Sequence, residues 1–215
     1  MSAAVALFSG GKDSAVSFYW ALKNYDQVVA VSIDYPGRPK QEKSAAQAIV
    51  AQTSATLLSP SLPFMFSSEQ GYTGETSGSV ISSKESAYIP MRNLLFYGTA
   101  AYYAEIFQIP DIIVGNYRGE GVTYPDASQD FLRKMEDLYA LSMSRKYAGT
   151  CDHLRLLTPL LAYDEYEVAL LGKDLGVPLH LTWSCWRDLD APCMQCYSCK
   201  ERERVFSQTG VITHP

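Results

Sequence analysis

The chain has 215 residues, 47% apolar and 19% charged, which at ~150 residues per domain predicts one compact body with a sizeable core and excludes collagen-like or wholly disordered organisation. The formal charge of −5 argues against long nucleic acid held on a broad basic face and favours a small-molecule substrate. No apolar run approaches the ~18 residues needed to cross a bilayer, and the N-terminus lacks the basic stretch and apolar core of a secretory signal, so a soluble cytoplasmic protein without membrane contact is expected.

Taken in chain order, residues 3–8 read as a buried strand, 14–22 as a helix, 27–33 as a second strand, 40–52 as a second helix and 56–58 as a short third strand. Residues 59–88 break the rhythm, with nine serines and three glycines and no sustained period. A stretch of this length inside a domain reads as a substrate-covering flap or as disorder. Residues 93–108 predict a long apolar helix, 111–114 a strand, 129–144 an amphipathic helix and 154–157 a last strand. Asp164 opens a further helix with Glu167 as capping-box partner, and Gly176-Val177-Pro178 stops it. Such alternation predicts an α/β fold, a parallel sheet with helices on both faces and ligands at the carboxyl ends of its strands. The expected division is a main body over residues 1–180 and a small C-terminal element over 181–215 packed on it.

Ser9-Gly10-Gly11-Lys12-Asp13-Ser14 follows the first strand and opens the first helix. Paired glycines let the backbone turn with positive φ and bring several N–H groups onto an anion at the positive end of the helix dipole. The Ser9 and Ser14 hydroxyls can donate to phosphate oxygens. Asp13, an acid beside a phosphate site, suits a Mg²⁺ or a water-mediated ligand. Lys12 supplies charge or faces solvent. The spacing fits neither the Walker A pattern nor the dinucleotide fingerprint.

Four of the five cysteines, Cys185, Cys193, Cys196 and Cys199, crowd into fifteen residues, a pattern of metal sites rather than disulfides. Short C-x2-C steps suit a closed, structural Zn²⁺ site, with an iron–sulfur cluster as the rival that thiolate spacing alone leaves open. Cys151 stands apart as an ordinary thiol. The run Lys200-Glu201-Arg202-Glu203-Arg204 reads as a solvated helix face.

The Ser-Gly-Gly-x-Asp-Ser loop resembles the PP-loop of the ATP pyrophosphatases, which have an adenine-nucleotide α-hydrolase-like fold. Together with Tyr88-Ile89-Pro90-Met91-Arg92-Asn93-Leu94-Leu95-Phe96 and Leu181-Thr182-Trp183-Ser184-Cys185, it closely resembles the 7-cyano-7-deazaguanine synthase family. The resemblance runs nearly end to end. It implies conversion of 7-carboxy-7-deazaguanine, ammonia and ATP to the nitrile through an adenylated intermediate, on the route to queuosine, by a homodimer that binds Zn²⁺. The candidate ATP contacts are Phe8, Ser9, Gly10, Gly11, Lys12, Asp13, Ser14, Ala15 and Asp34, and the candidate substrate contacts are Tyr88, Arg92, Asn93, Glu120, Tyr124 and Asp126, of which the Tyr124-Pro125-Asp126 step matches the family's base-holding loop; Lys12, Asp13 and Arg92 are the catalytic candidates.

Arg92 suits a carboxylate or a phosphate because its fork binds two oxygens at once, although a structural salt bridge is the plainer reading. Asn93 can instead cap the helix that follows, and Asp126 can be an N-terminal helix acid. The flanks Arg118-Gly119-Glu120-Gly121 and Ala127-Ser128 differ from the family's usual loop, as does Asp34-Tyr35-Pro36-Gly37-Arg38-Pro39-Lys40. These departures leave open a relative that turns the same acid into an amide or protein conjugate; from another class, a binding protein that retains the loop as a nucleotide sensor without turnover is a further alternative.

Overall fold

A computed structural model of the chain describes residues 1–65, 83, 87–143, 151 and 153–211. Most of the serine-rich stretch, including the proposed flap, lies outside them. The strands are β1 (Ala3–Leu7), β2 (Gln27–Val31), β3 (Thr56–Leu58), β4 (Asp111–Ile113) and β5 (Arg155–Leu157). The helices are α1 (Lys12–Asn24), α2 (Lys40–Val50), α3 (Arg92–Phe107), α4 (Glu120–Thr123), α5 (Gln129–Ser142), α6 (Glu165–Asp174) and α7 (Tyr197–Thr209).

All strand pairs are parallel, in the order β3-β2-β1-β4-β5, with β1 in the middle. Such a sheet is buried on both faces, and its strands accordingly carry apolar residues on each. Ala4, Ala6 and Phe8 join one core with Phe18 of α1, Ile49 of α2, Val168 of α6 and Phe206 of α7. Val5 and Val31 join the other, with Tyr97 and Ala100 of α3 and Leu132 and Met135 of α5. Phe8 stacks on Phe18 with ring centroids 4.8 Å apart. The expected α/β architecture with two helical layers is therefore present.

The strand order reverses at β1. The chain leaves β1 through α1 for β2, whereas β4, on the other side of β1, is entered from α3 in the opposite layer. The loops beyond β1 and β4 thus diverge, which opens a crevice at the carboxyl end of the sheet.

Local signals explain most element ends. Asp164 Oδ1 accepts the Tyr166 and Glu167 N–H groups at 3.0 Å each, and Glu167 Oε2 accepts the Asp164 N–H at 2.8 Å, completing the predicted capping box. Several boundaries move. α1 begins at Lys12 rather than residue 14, because Gly11 is already its extended N-cap. α3 begins at Arg92, one residue early, because Met91 adopts a left-handed φ of 55°. Asn93 is consequently inside the helix and not its cap. The short α4 and the 3₁₀ turn Pro125–Ala127 have no counterpart in the sequence reading. No helix among the described residues is long and apolar enough to cross a membrane.

Candidate active site

A cavity of about 320 Å³ lies at the crevice, walled by the loop after β1, the turn after β4, the start of α3 and the C-terminal segment. Gly10 turns the first of these with φ +98°, and a Cβ there would stand 2.8 Å from the Ala46 nitrogen of α2. Only Gly10 uses positive φ; Gly11 has φ −78°. Serine hydroxyls brace the loop. Ser9 Oγ accepts the Gly11 N–H at 3.1 Å, Ser14 Oγ accepts the Ser9 N–H at 3.2 Å, and Ser14 Oγ donates to the Gly11 carbonyl at 3.0 Å. The first-turn N–H groups of α1 lack intrahelical acceptors, and an anion would satisfy them at the favourable end of the dipole. Gly115 lets the turn after β4 approach closely, since a Cβ there would stand 3.2 Å from the Asp13 carbonyl.

Lys12 does not face solvent, because the layer of α6 closes over it. Its side chain is 10% exposed, and Nζ donates to the Glu165 carbonyl at 3.2 Å, lies 2.8 Å from Asp13 Oδ1 and sits 5.9 Å from the Tyr117 ring centroid. Asp13 Oδ1 is buried and, despite the neighbouring ammonium, has no aligned hydrogen bond. A carboxylate oxygen so placed, beside an anion-binding helix end, suits a hard divalent cation.

Beside the loop lies a buried charge network that sequence reasoning missed. Arg38 donates to the Ile33 carbonyl at 2.7 Å, to Ser32 Oγ at 3.0 Å and to the Ser9 carbonyl, and its Nε pairs with Glu42 at 3.1 Å. It thereby holds the phosphate loop from beneath. Burial raises the Glu42 pKa against the opposing pull of Arg38. Burial, reinforced by Glu42, pushes Tyr35 up to about 12 while Arg92 and Arg38 oppose the shift. For Arg92, burial would lower the pKa, but Tyr35, Tyr124, Glu120 and Glu42 outweigh it and the net shift is upward. Arg92 is hydrogen-bonded to Tyr35 and forms no ion pair with a described carboxylate.

Arg92, Asn93 and Glu120 line the cavity with Phe8 and the loop. Gly10, Tyr88, Tyr124, Asp126, Ala15 and Asp34 do not line it. Ala15 is core, and Asp34 pairs with Lys43 at 2.6 Å. Asp126 neither faces the cavity wall nor starts α5, whose cap is Ser128. Its Oδ2 accepts the Asn93 N–H at 3.1 Å and its Oδ1 accepts Asn93 Nδ2 at 3.3 Å, which caps α3 from 33 residues away. Further cavity residues without a role in the sequence reading are Asn116, whose Oδ1 accepts the Tyr97 hydroxyl at 3.0 Å, and Arg202. The position of Asn116 just after a strand was the available signal for it.

The four cysteine sulfurs lie within 4.8 Å of one another, with Cys193 and Cys199 at 3.9 Å. A tetrahedral ion at ~2.3 Å from each sulfur has edges of about 3.8 Å, so the set fits one ion. An iron–sulfur cube would hold its cysteines farther apart. Backbone N–H groups already point at the sulfurs, from Arg187 and Cys193 to Cys185 Sγ at 3.4 Å each and from Cys196 to Cys193 Sγ at 3.3 Å. Burial pushes Cys185 up, whereas at Cys193 the N–H groups of Gln195 and Cys196 overcome burial and pull it down to about 6. Cys151 is buried in the core that holds Val5 and Val31, and its Sγ donates to the His153 carbonyl at 3.3 Å.

A sequence profile of the family described as queuosine biosynthesis protein QueC matches residues 3–210. The 7-cyano-7-deazaguanine synthase of Nitratiruptor sp. is 32% identical over 217 residues, covering 96% of this chain and 94% of that protein. The protein of the same name from Leptospira interrogans is 32% identical over 215 residues, covering 97% and 88%. Among solved structures, a predicted subunit of tRNA methyltransferase from Methanocaldococcus jannaschii superposes with a TM-score of 0.53 at 17% identity, covering 80% of this chain and 75% of that one, a likeness of fold alone.

Proposed function

The chain belongs to the QueC family of queuosine biosynthesis proteins, and from that premise we propose that it is an ATP-dependent ligase making 7-cyano-7-deazaguanine from 7-carboxy-7-deazaguanine and ammonia. The observation that carries the reading is one cavity in which the Ser9–Ser14 loop, at a helix N-terminus, stands beside Arg92 and Glu120.

A carboxylate is a poor electrophile, so its oxygen first attacks the α-phosphorus of ATP and pyrophosphate departs. Ammonia then adds to the acyl carbon, AMP leaves and, with loss of a proton, an amide remains. The amide oxygen attacks a second ATP, and loss of AMP and two protons gives the nitrile. Positioning and charge stabilisation suffice for such steps.

The loop amides with Ser9 and Ser14 hold the departing diphosphate above Phe8, Gly10 and Gly11, and Lys12 keeps Asp13 oriented. Asp13 would hold a Mg²⁺, which when bound supplies positive charge to the phosphates. Arg92 holds the substrate carboxylate through its fork, with Asn93 and Glu120 beside it for the amino and ring N–H groups of the base. Tyr88 and Tyr124, which do not line the cavity, would reach the base only from outside its wall, and Asp126 acts through Asn93. Cys185, Cys193, Cys196 and Cys199 would hold a Zn²⁺ as a structural ion, since four thiolates leave it no open position. A cytoplasmic homodimer completes the reading, and sizing in solution tests it.

Incubation with the acid, ammonium and MgATP, followed by mass spectrometry, decides the matter. Nitrile with two AMP per turnover supports the proposal; an amide that accumulates without nitrile, or nucleotide binding without AMP, contradicts it.

A further inference from the structure

The charged run at the start of α7 does not form one solvated face. Lys200, Glu203 and Arg204 are exposed, but Glu201 and Arg202 turn inward and line the cavity. The helix phase causes this. Cys199, Arg202 and Phe206 lie at i, i+3 and i+7, and Cys199 and Phe206 are buried, so Arg202 shares their stripe.

Its guanidinium is held by neutral groups. Nη1 donates to Thr182 Oγ1 at 2.7 Å and reaches Ser184 Oγ at 3.5 Å, Nη2 donates to the Leu179 carbonyl at 2.8 Å, and Cζ lies 4.3 Å from the Phe206 ring centroid. None of the ion pairs among the described residues involves it. Burial pulls its pKa down to about 10, with Cys199 and Asp13 opposing. A desolvated cation with no carboxylate in direct contact is costly to keep, and these three acceptors leave at least two of the five guanidinium donors over.

Arg202 walls the same cavity as Gly11, Lys12, Asp13 and Ser14. The segment that fixes its guanidinium is tied to the phosphate loop, because the Trp183 N–H donates to the Gly10 carbonyl at 3.0 Å. Arg92, by contrast, stands beside Tyr35 on α3.

We infer that Arg202 is a second cationic ligand for the diphosphate of a nucleotide held at the phosphate loop, and that the cysteine cluster three residues before it sets its position. The inference rests on the proposed ATP chemistry. A guanidinium already fixed by Thr182 and Leu179 loses little freedom on gripping two phosphate oxygens, which suits a dianionic group better than a mobile lysine would.

The test uses full-length metal-loaded protein with Mg²⁺ and calorimetric titration of inorganic pyrophosphate, ATP and AMP. R202Q is expected to weaken pyrophosphate binding by about ten- to a hundredfold, the scale of a lost charged hydrogen bond, while AMP affinity stays within about twofold. R202K, which keeps the charge but cannot keep the fork, should lose several-fold. Unchanged pyrophosphate affinity in R202Q, or equal losses for AMP and pyrophosphate, overturns the assignment. If R202Q does not retain its metal, R202K decides, and wild-type pyrophosphate affinity there overturns it. Wild-type protein that binds neither ATP nor pyrophosphate would instead overturn the proposed function itself.

Discussion

The backbone N–H of Trp183 donates to the carbonyl of Gly10 at 3.0 Å, so the segment carrying the cysteines is bonded directly to the phosphate loop. A metal held by Cys185, Cys193, Cys196 and Cys199 therefore orders one wall of the nucleotide site as well as the C-terminal element. Removing the metal with a chelator, or substituting Cys196→Ser, should release the ion and weaken ATP binding by tenfold or more. Metal analysis with ATP titration checks this; full ATP affinity in metal-free protein would separate the two sites.

Gly10 carries the sharpest steric demand in the loop. Gly10→Ala must place a methyl group against the backbone of α2 at φ +98°, which should cost more than about 1 kcal/mol of stability and abolish nucleotide binding. Urea unfolding measures the first effect. A variant as stable as the wild type would mean that the loop and α2 separate readily.

Asp126→Ala removes the group that accepts the Asn93 N–H at the start of α3. The loss of such a cap should lower stability by about 1 kcal/mol, read as a lower urea midpoint. An unchanged midpoint together with a raised KM for the acid would assign Asp126 to the substrate instead.

Tyr35 provides a pH test. Its pKa is pushed up to about 12 in the folded protein, above the phenol's usual 10, because burial disfavours the tyrosinate. The unfolded chain therefore ionises first. Stability from this residue is present below pH 10 and is lost as pH rises from 10 towards 12. Tyr35→Phe should flatten the alkaline decline of the urea midpoint, and identical pH profiles would contradict that role for the buried hydroxyl.

Features with a local cause were readable in the sequence. β1 is a short apolar run, the phosphate loop follows it at once, Asp164 and Glu167 announce a capping box, and four cysteines at C-x2-C steps announce their own convergence. Features set by partners distant in the chain were not. Asp126 meets Asn93 only because the turn after α4 folds over the start of α3. Lys12 is covered by α6, more than 150 residues on. Arg38 points inward because the Ser9 and Ile33 carbonyls await it there. Arg202 was hidden by its charged neighbours, although counting helical phase from Cys199 would have placed it inside.

The most direct test follows oxygen from the acid. With 7-carboxy-7-deazaguanine labelled with ¹⁸O in its carboxylate, attack on the α-phosphorus must carry one labelled oxygen into AMP, detectable by mass spectrometry after turnover with ammonia. Label in AMP, with unlabelled pyrophosphate, is the predicted result. Label in inorganic phosphate or pyrophosphate, or retained wholly outside AMP, would contradict adenylation at this site.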